Sequence, residues 1–291
     1  MGAVANVTTL ANTVTVSRVL SAAMAPEFKK GTIFVPQIYA EDLPIGQSTA
    51  TKTFRRRGAM GAVTALAENN PRTYESPRVD TSVDATAAKI VRVDGVSIEN
   101  QMFSQNDLAS YAESQGNAIG RSVDDTGFAL FSSITNEVDA GGSLTLDHLD
   151  LAQLAIFSEE TPNSEMNLHV QLGPKGYKDI KADVRESGGS ALSNERFLSI
   201  FNGPPQVNGL VGQLPGFNIF MTPAGLASSG SNAVQAVFHP RWAFAGMFDS
   251  SVKVWIANKG SEGVFTEIVS YYFFAIVLWN DDAACKLLSA A

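Results

Sequence analysis

The order of three segments constrains this chain more than any single motif does. Residues 46–87 are polar, basic and rich in turn signals, with no hydrophobic periodicity of their own. A short strand-like run follows, Lys89-Ile90-Val91-Arg92-Val93-Asp94-Gly95-Val96-Ser97-Ile98, and then an amphipathic segment extends from Asp107 to Val138. About 40 residues without a core of their own are uncommon inside a compact domain. An extended stretch that returns to one long helix is awkward for a self-contained enzyme and suits a subunit that reaches across its neighbours.

A chain of 291 residues can bury a sizeable core, as one large domain or two small ones. Only 17% of its residues are charged, against about 25% in ordinary soluble domains. Such a surface suits coverage by other copies. The net charge of −8 is uneven: residues 1–100 hold 11 Lys/Arg and 9 Asp/Glu, whereas residues 101–291 hold 10 and 20. Such asymmetry marks either a nucleic-acid arm or self-complementary packing, and an acidic body does not attract nucleic acid by itself. The single cysteine, Cys285, excludes an intrachain disulfide. No Lys or Arg precedes Arg18, and Asn6, Thr8, Thr9, Asn12, Thr13 and Thr15 interrupt the first apolar residues, so no signal peptide is expected. The most apolar run, 269–279, is too short to cross a bilayer as a helix.

Residues 1–30 read as an arm with a weak helix that orders by packing on something else. Thr32 to Tyr39 is a strand candidate, restricted to an edge by Pro36. Residues 48–57 and 78–93 read as two limbs of an extended hairpin, with turn signals at Asn69-Asn70-Pro71 and Ser76-Pro77. Asp107 is a suitable N-cap for the long helix. At 1.5 Å per residue the helix would run about 45 Å to Val138, with Gly116, Gly120 and Gly127 requiring neighbours to hold it. Gly141-Gly142 would end it. Further on, the pattern predicts a helix over 148–160, a strand over 168–172 and a helix opening at Pro174. It then predicts two strands across Pro215-Gly216, strands at 234–238 and 242–247, and a ribbon of 252–256 with 264–279 buried on both faces.

Catalytic chemistry is poorly represented. His148, His169 and His239 are not spaced from one another or from Cys285 as metal ligands would be. There is neither a nucleophile elbow nor a phosphate-binding loop. The carboxylate pairs Asp124-Asp125, Glu159-Glu160 and Asp281-Asp282 are sequence neighbours, which on a helix point about 100° apart and do not converge on a substrate. No catalytic, metal-binding or cofactor-binding residue is assigned, and no cofactor is expected.

Arg55-Arg56-Arg57 is the sharpest charged feature. Aromatic interleaving for base stacking is limited to Phe54. Residues 46–80 carry Lys52, Arg55, Arg56, Arg57, Arg72 and Arg78 against three acids. Residues 99–139 carry seven acids, among them Glu99, Glu113, Asp124 and Asp125, against Arg121. The hairpin and the long helix are therefore expected to dock on one another between subunits, since complementary charge fixes register.

Several segments together resemble the major capsid proteins of tailed bacteriophages, the Hong Kong 97-type fold. Ala65-Leu66-Ala67-Glu68 is similar to a step in the middle of the family's E-loop. Lys89 to Val96 followed by Ser97-Ile98-Glu99-Asn100 resembles the strand that enters the spine helix. Leu172-Gly173-Pro174-Lys175-Gly176-Tyr177, Leu210-Val211-Gly212-Gln213-Leu214-Pro215-Gly216-Phe217-Asn218-Ile219 and Val237-Phe238-His239-Pro240-Arg241-Trp242-Ala243 resemble successive steps of its A-domain.

The resemblance implies an α+β fold with an N-terminal arm and lead-in (1–45), an E-loop (46–95) and a P-domain with its spine helix (96–147). An A-domain (148–250) and a return to the P-domain (251–291) would follow. It implies no enzyme activity. Copies would assemble as hexamers and pentamers into an icosahedral shell around double-stranded DNA held without sequence-specific binding. A separate scaffolding protein, a portal and a decoration or cement protein would be partners, no membrane would be involved, and the location would be the virion after assembly in the host cytoplasm. Some members crosslink an E-loop Lys to a P-domain Asn; Lys52 and Asn280 are the nearest candidates, and their surroundings do not match. The alternatives are a non-viral nanocompartment shell of the same fold, which encloses enzymes, an enzyme with an unrecognised site, or a self-assembling surface-layer or fibre protein.

Overall fold

One strand organises half of the molecule. Ten of the 14 residues of Phe265–Leu278 (β13) are β-branched or aromatic, a composition that favours extended backbone with side chains packed on both faces. In the computed structural model, which describes residues 4–43, 50–56, 81–97, 108–158, 167–186, 209–222, 226, 228–229, 232–259 and 265–290, β13 is the centre of a five-stranded sheet. Ala88–Ser97 (β4) pairs antiparallel along one of its edges. Lys253–Lys259 (β12) and Phe244–Phe248 (β11) share the other, and Tyr39–Asp42 (β1) adds in parallel to β11.

A second sheet of seven strands has the order β5-β14-β10-β6-β8-β7, formed by Glu137–Asp139, Ala284–Ala290, Asn232–Phe238, Leu168–Leu172, Phe217–Met221 and Leu210–Leu214. The two-residue strand Ser228–Ser229 (β9) pairs with β10. Thr51–Arg56 (β2) and Thr81–Thr86 (β3) form a separate two-stranded ribbon. The turn between β7 and β8 places Gly216 at φ +85, a conformation that costs glycine little.

Among the described residues, four helices cover these sheets. Val4–Gly31 (α1) lies against Leu108–Ala129 (α2). Leu146–Ser158 (α3) and Pro174–Glu186 (α4) share one face of the seven-stranded sheet. A core of Leu149, Ala152, Ile156, Ile180 and Val184 against Leu168, Val170 and Leu172 joins that pair to the sheet. The larger core lies between α1, α2 and the five-stranded sheet, and extends through Phe34, Phe131 and Phe238 to the second sheet.

Several elements depart from the sequence expectations for identifiable reasons. The first segment is not an arm awaiting a distant partner: Leu20 and Met24 are buried and Phe28 half-buried against the chain's own core. Pro36, lacking an N–H, opens a 3-10 turn at Val35–Gln37, and the strand starts only at Tyr39. The long helix spans 22 residues, about 33 Å rather than 45 Å. Beyond it the chain tightens into a 3-10 turn, Leu130–Ser133, where Ser132 Oγ donates to Ala129 O (2.8 Å) and Ser133 Oγ to Leu130 O (2.6 Å), a local competition with helical bonding. Phe131 and Ile134 then turn into the core and the chain becomes β5. Within 251–291, β12 and β13 belong to the five-stranded sheet, whereas β14 lies between β10 and β5 of the seven-stranded one. The expected two-sided burial of β13 and its partners holds toward its end, where the ribbon β2–β3 covers Ala245, Met247 and Ala275, and fails toward its start, where Val93, Val269 and Trp255 stand side by side in register, with Trp255 63% exposed. The N-cap Asp107 and the helical patch expected at 194–201 lie outside the described residues.

Candidate functional site at the hairpin root and the long helix

The ribbon β2–β3 leaves the body at a root built from aromatic rings. Phe54 is buried between Tyr39 and Trp279, at ring distances of 6.4 and 6.3 Å. Trp279 in turn stacks on Trp242 with an interplanar angle of 5°. Alternation along β2 turns Phe54 inward. Lys52 pairs with Glu41 of β1, and Arg56 Nη1 donates to Asp282 Oδ2 at 2.6 Å. Ala87 N–H closes the root on Ala50 O.

The turn that receives Arg56 also receives the end of the long helix. Thr135 N–H donates to Asp281 Oδ1 at 2.9 Å. Each member of the adjacent pair Asp281-Asp282 thus holds a different segment of the same chain, a role that their adjacency in the sequence does not reveal.

The expected docking residues fall into four groups. Arg57, Arg72, Arg78 and Glu99 lie outside the described residues. Arg55, Glu113 and Asp125 are exposed. Lys52 and Arg56 are engaged within the subunit, by Glu41 and Asp282 rather than by the long helix. Asp124 is a correction: it is 3% exposed and accepts the backbone N–H groups of Ile33 and Phe34. Burial, the dominant cause, raises its carboxyl to about 7 against the pull of those N–H bonds. It fastens the end of α1 to α2 and is not available to a neighbour.

Sequence reasoning also missed Phe34, whose ring meets Phe128, Phe131, Phe238 and Phe244 edge-on at 5.2–5.7 Å. It is the point where α2, the first sheet and the second sheet touch. A phenylalanine beside a Pro36 turn carries no periodic signal to mark it.

The histidines are accounted for by packing. His148 Nδ1 accepts the Thr145 N–H at 3.2 Å, at the start of α3. His169 lies 4.9 Å from the Phe220 ring, and burial with neighbouring His239 lowers its pKa to about 4. His239 is buried and its Nδ1 bonds Pro240 O at 2.6 Å. Burial raises the Cys285 thiol to about 12, far from a reactive thiolate. Among the described residues no group of three or more His, Cys, Asp or Glu side chains could hold a metal ion, and no helix is long and apolar enough to cross a membrane.

No protein-family model and no curated protein sequence matches the chain. Its fold, however, is that of viral capsid subunits of the Hong Kong 97 type. The capsid of Ralstonia phage GP4 superimposes with a TM-score of 0.68 at 10% identity, over 90% of this chain and 92% of that one. The capsid of cyanophage P-SCSP1u gives 0.63 at 13% identity over 89% and 88%. The capsid of an empty GTA particle gives 0.63 at 9% identity over 90% and 90%. These three solved structures are capsids.

Proposed function

We propose that this chain is a major capsid protein that self-assembles as hexamers and pentamers into an icosahedral shell around a double-stranded DNA genome. The observation that carries this reading is that the capsid fold extends over about nine-tenths of the chain, so little remains for another function. In this reading the ribbon β2–β3 is the root of the E-loop, α2 is the spine helix, the five-stranded sheet is the P-domain and the seven-stranded sheet the A-domain.

The hairpin is fixed to its own subunit by Phe54, Lys52 and Arg56, so its direction is set before assembly. Beyond that root, Arg55, Arg57, Arg72 and Arg78 meet Glu99, Glu113 and Asp125 of a neighbour, and complementarity fixes the register. Partners are further copies of the chain, a separate scaffolding protein, a portal and a decoration or cement protein. DNA is enclosed without sequence-specific contacts. The protein resides in the virion, after assembly in the host cytoplasm.

Negative-stain electron microscopy of the protein expressed alone and with its neighbouring genes tests the reading. Uniform closed shells or curved sheets of capsid lattice are expected. A monomer under every condition, with residues 46–87 resistant to protease, would overturn it.

A further inference from the structure

The face of the seven-stranded sheet turned away from α3 and α4 carries a polar cleft of about 430 Å3. Leu168, Val170, Phe217 and Ile219 pack toward the helices. Alternation therefore sends their neighbours His169 and Asn218, register partners on β6 and β8, to the other side. There the 3-10 turn holding Gln37 and the turn at Pro240-Arg241 stand on either side of them.

The floor of the cleft holds polar atoms that the chain does not satisfy. Gln37 is 2% exposed. Its Nε2 donates to Ile33 O at 2.8 Å and to Gln171 Oε1 at 3.0 Å. These bonds fix the amide and leave Oε1 as a buried acceptor without a donor, a costly arrangement. Packing places the His169 ring, but its Nδ1 is also buried and unpartnered. Burial keeps that ring neutral, so the nitrogen gives or takes one hydrogen bond according to its tautomer. At the rim Asn167 Nδ2 meets Asn218 Oδ1 at 3.5 Å.

Arg241 stands exposed at the mouth. Among the described residues it is the one non-glycine with a left-handed backbone, at φ 72, and no Asp or Glu of the described residues lines the cleft beside it. Water satisfies neutral polar atoms one by one but supplies no counter-charge to a guanidinium.

We propose that this cleft binds a small hydroxylated anion, a carboxylate or phosphate monoester with hydroxyl groups beside its charge. The anionic group pairs with Arg241, whose planar fork offers two parallel donors to either kind of anion. One hydroxyl donates to Gln37 Oε1 and another shares a hydrogen bond with His169 Nδ1, since a hydroxyl both gives and accepts. Pro36 and Pro240 supply apolar sides for the C–H faces of the ligand. A few convergent polar groups between apolar walls are the usual make-up of a small-molecule site. The site does not rest on the shell-subunit reading.

The test is isothermal titration calorimetry of the full chain, as soluble subunit and as assembled particles, with probes that separate charge from hydrogen bonding. Glucuronate and glycerol 1-phosphate carry both, sulfate carries charge without a donor, and glycerol carries donors without charge. Saturable binding of glucuronate or glycerol 1-phosphate is expected, with sulfate and glycerol about tenfold weaker or worse. The better of the two hydroxylated anions shows whether the source is a sugar acid or a phosphate ester. Arg241→Asn keeps a residue that tolerates positive φ and should lower the affinity about tenfold, and Asn218→Ala about threefold, both with an unchanged melting temperature. Failure of both hydroxylated anions to bind, as in a cleft that holds only water, overturns the proposal. Equal binding of sulfate overturns it as well, because a surface arginine then attracts any anion. Full affinity in Arg241→Asn places the ligand elsewhere and has the same consequence. Normal particles that bind neither anion would leave the capsid reading standing and remove this site; binding by a chain that never forms particles would do the opposite.

Discussion

Asp124 holds two backbone N–H groups in a place where it is only 3% exposed, and its charge is costly there. A carboxyl whose folded pKa is near 7 binds a proton more tightly folded than unfolded. Stability contributed by that proton is present at pH 4 and is lost as pH rises toward 7, by at most about 4 kcal/mol. Chemical denaturation at pH 5 and pH 8 should therefore show a larger loss for the wild type than for Asp124→Asn, which has no carboxyl to ionise. Equal losses in the two proteins would remove Asp124 as the source. Phe34 belongs to the same scale. Its removal leaves a void among four other phenylalanines, and Phe34→Ala should cost about 3–5 kcal/mol, read as a lowered denaturation midpoint. Neither residue was legible in the sequence. Asp124 looked like one more surface acid on an acidic helix, because the backbone donors that claim it come from residues some 90 positions away.

Glycines decide how α1 and α2 meet. A Cβ on Gly116 would lie 2.8 Å from Met24 O, and one on Gly120 would lie 2.8 Å from Phe28 O. The two helices therefore touch backbone to backbone at successive turns. Gly116→Ala with Gly120→Ala would raise intrinsic helix propensity by about 1 kcal/mol per site and still weaken the protein, because main chain cannot move aside as a side chain can. Faster hydrogen exchange in residues 17–31 together with a lower melting temperature is the expected outcome. A gain in melting temperature would show that the helices can separate without loss. The sequence showed that these glycines weaken α2 and that a neighbour must hold it. It did not show that the neighbour is the first segment of the same chain, which has too little amphipathic pattern to announce a packing face. Elements with strong periodicity or turn chemistry, such as β6, α4 and the β7–β8 pair, stand close to where the pattern places them. Misplaced ends occur where side chains compete with the backbone, as Ser132 and Ser133 do beyond α2.

At the scale of the molecule, the order of hairpin, strand and long helix was enough to suggest the fold. The destination of β14 was not visible, since a short apolar strand can join either sheet. The hairpin root separates two kinds of arginine. Arg56→Ser removes an anchor to Asp282 and should speed hydrogen exchange of β2 in the free subunit. Arg55→Ser touches no such anchor and should leave exchange unchanged while slowing assembly in light scattering. Equal effects of the two variants on the free subunit would show that the root does not depend on this pair.

The pairing of β4 with β13 has a consequence for how the chain is made. Val91 and Tyr271 are register partners, so about 180 residues must be synthesised after β4 before its partner exists. At 5–20 residues per second this takes roughly 10–35 s. Throughout that interval β4 emerges from the ribosome as an unpaired edge with Val91 and Val93 exposed, and such edges recruit other chains. The yield of folded subunit should therefore depend on translation speed and on chaperones that occupy nascent edges, and not on the stability of the finished fold alone.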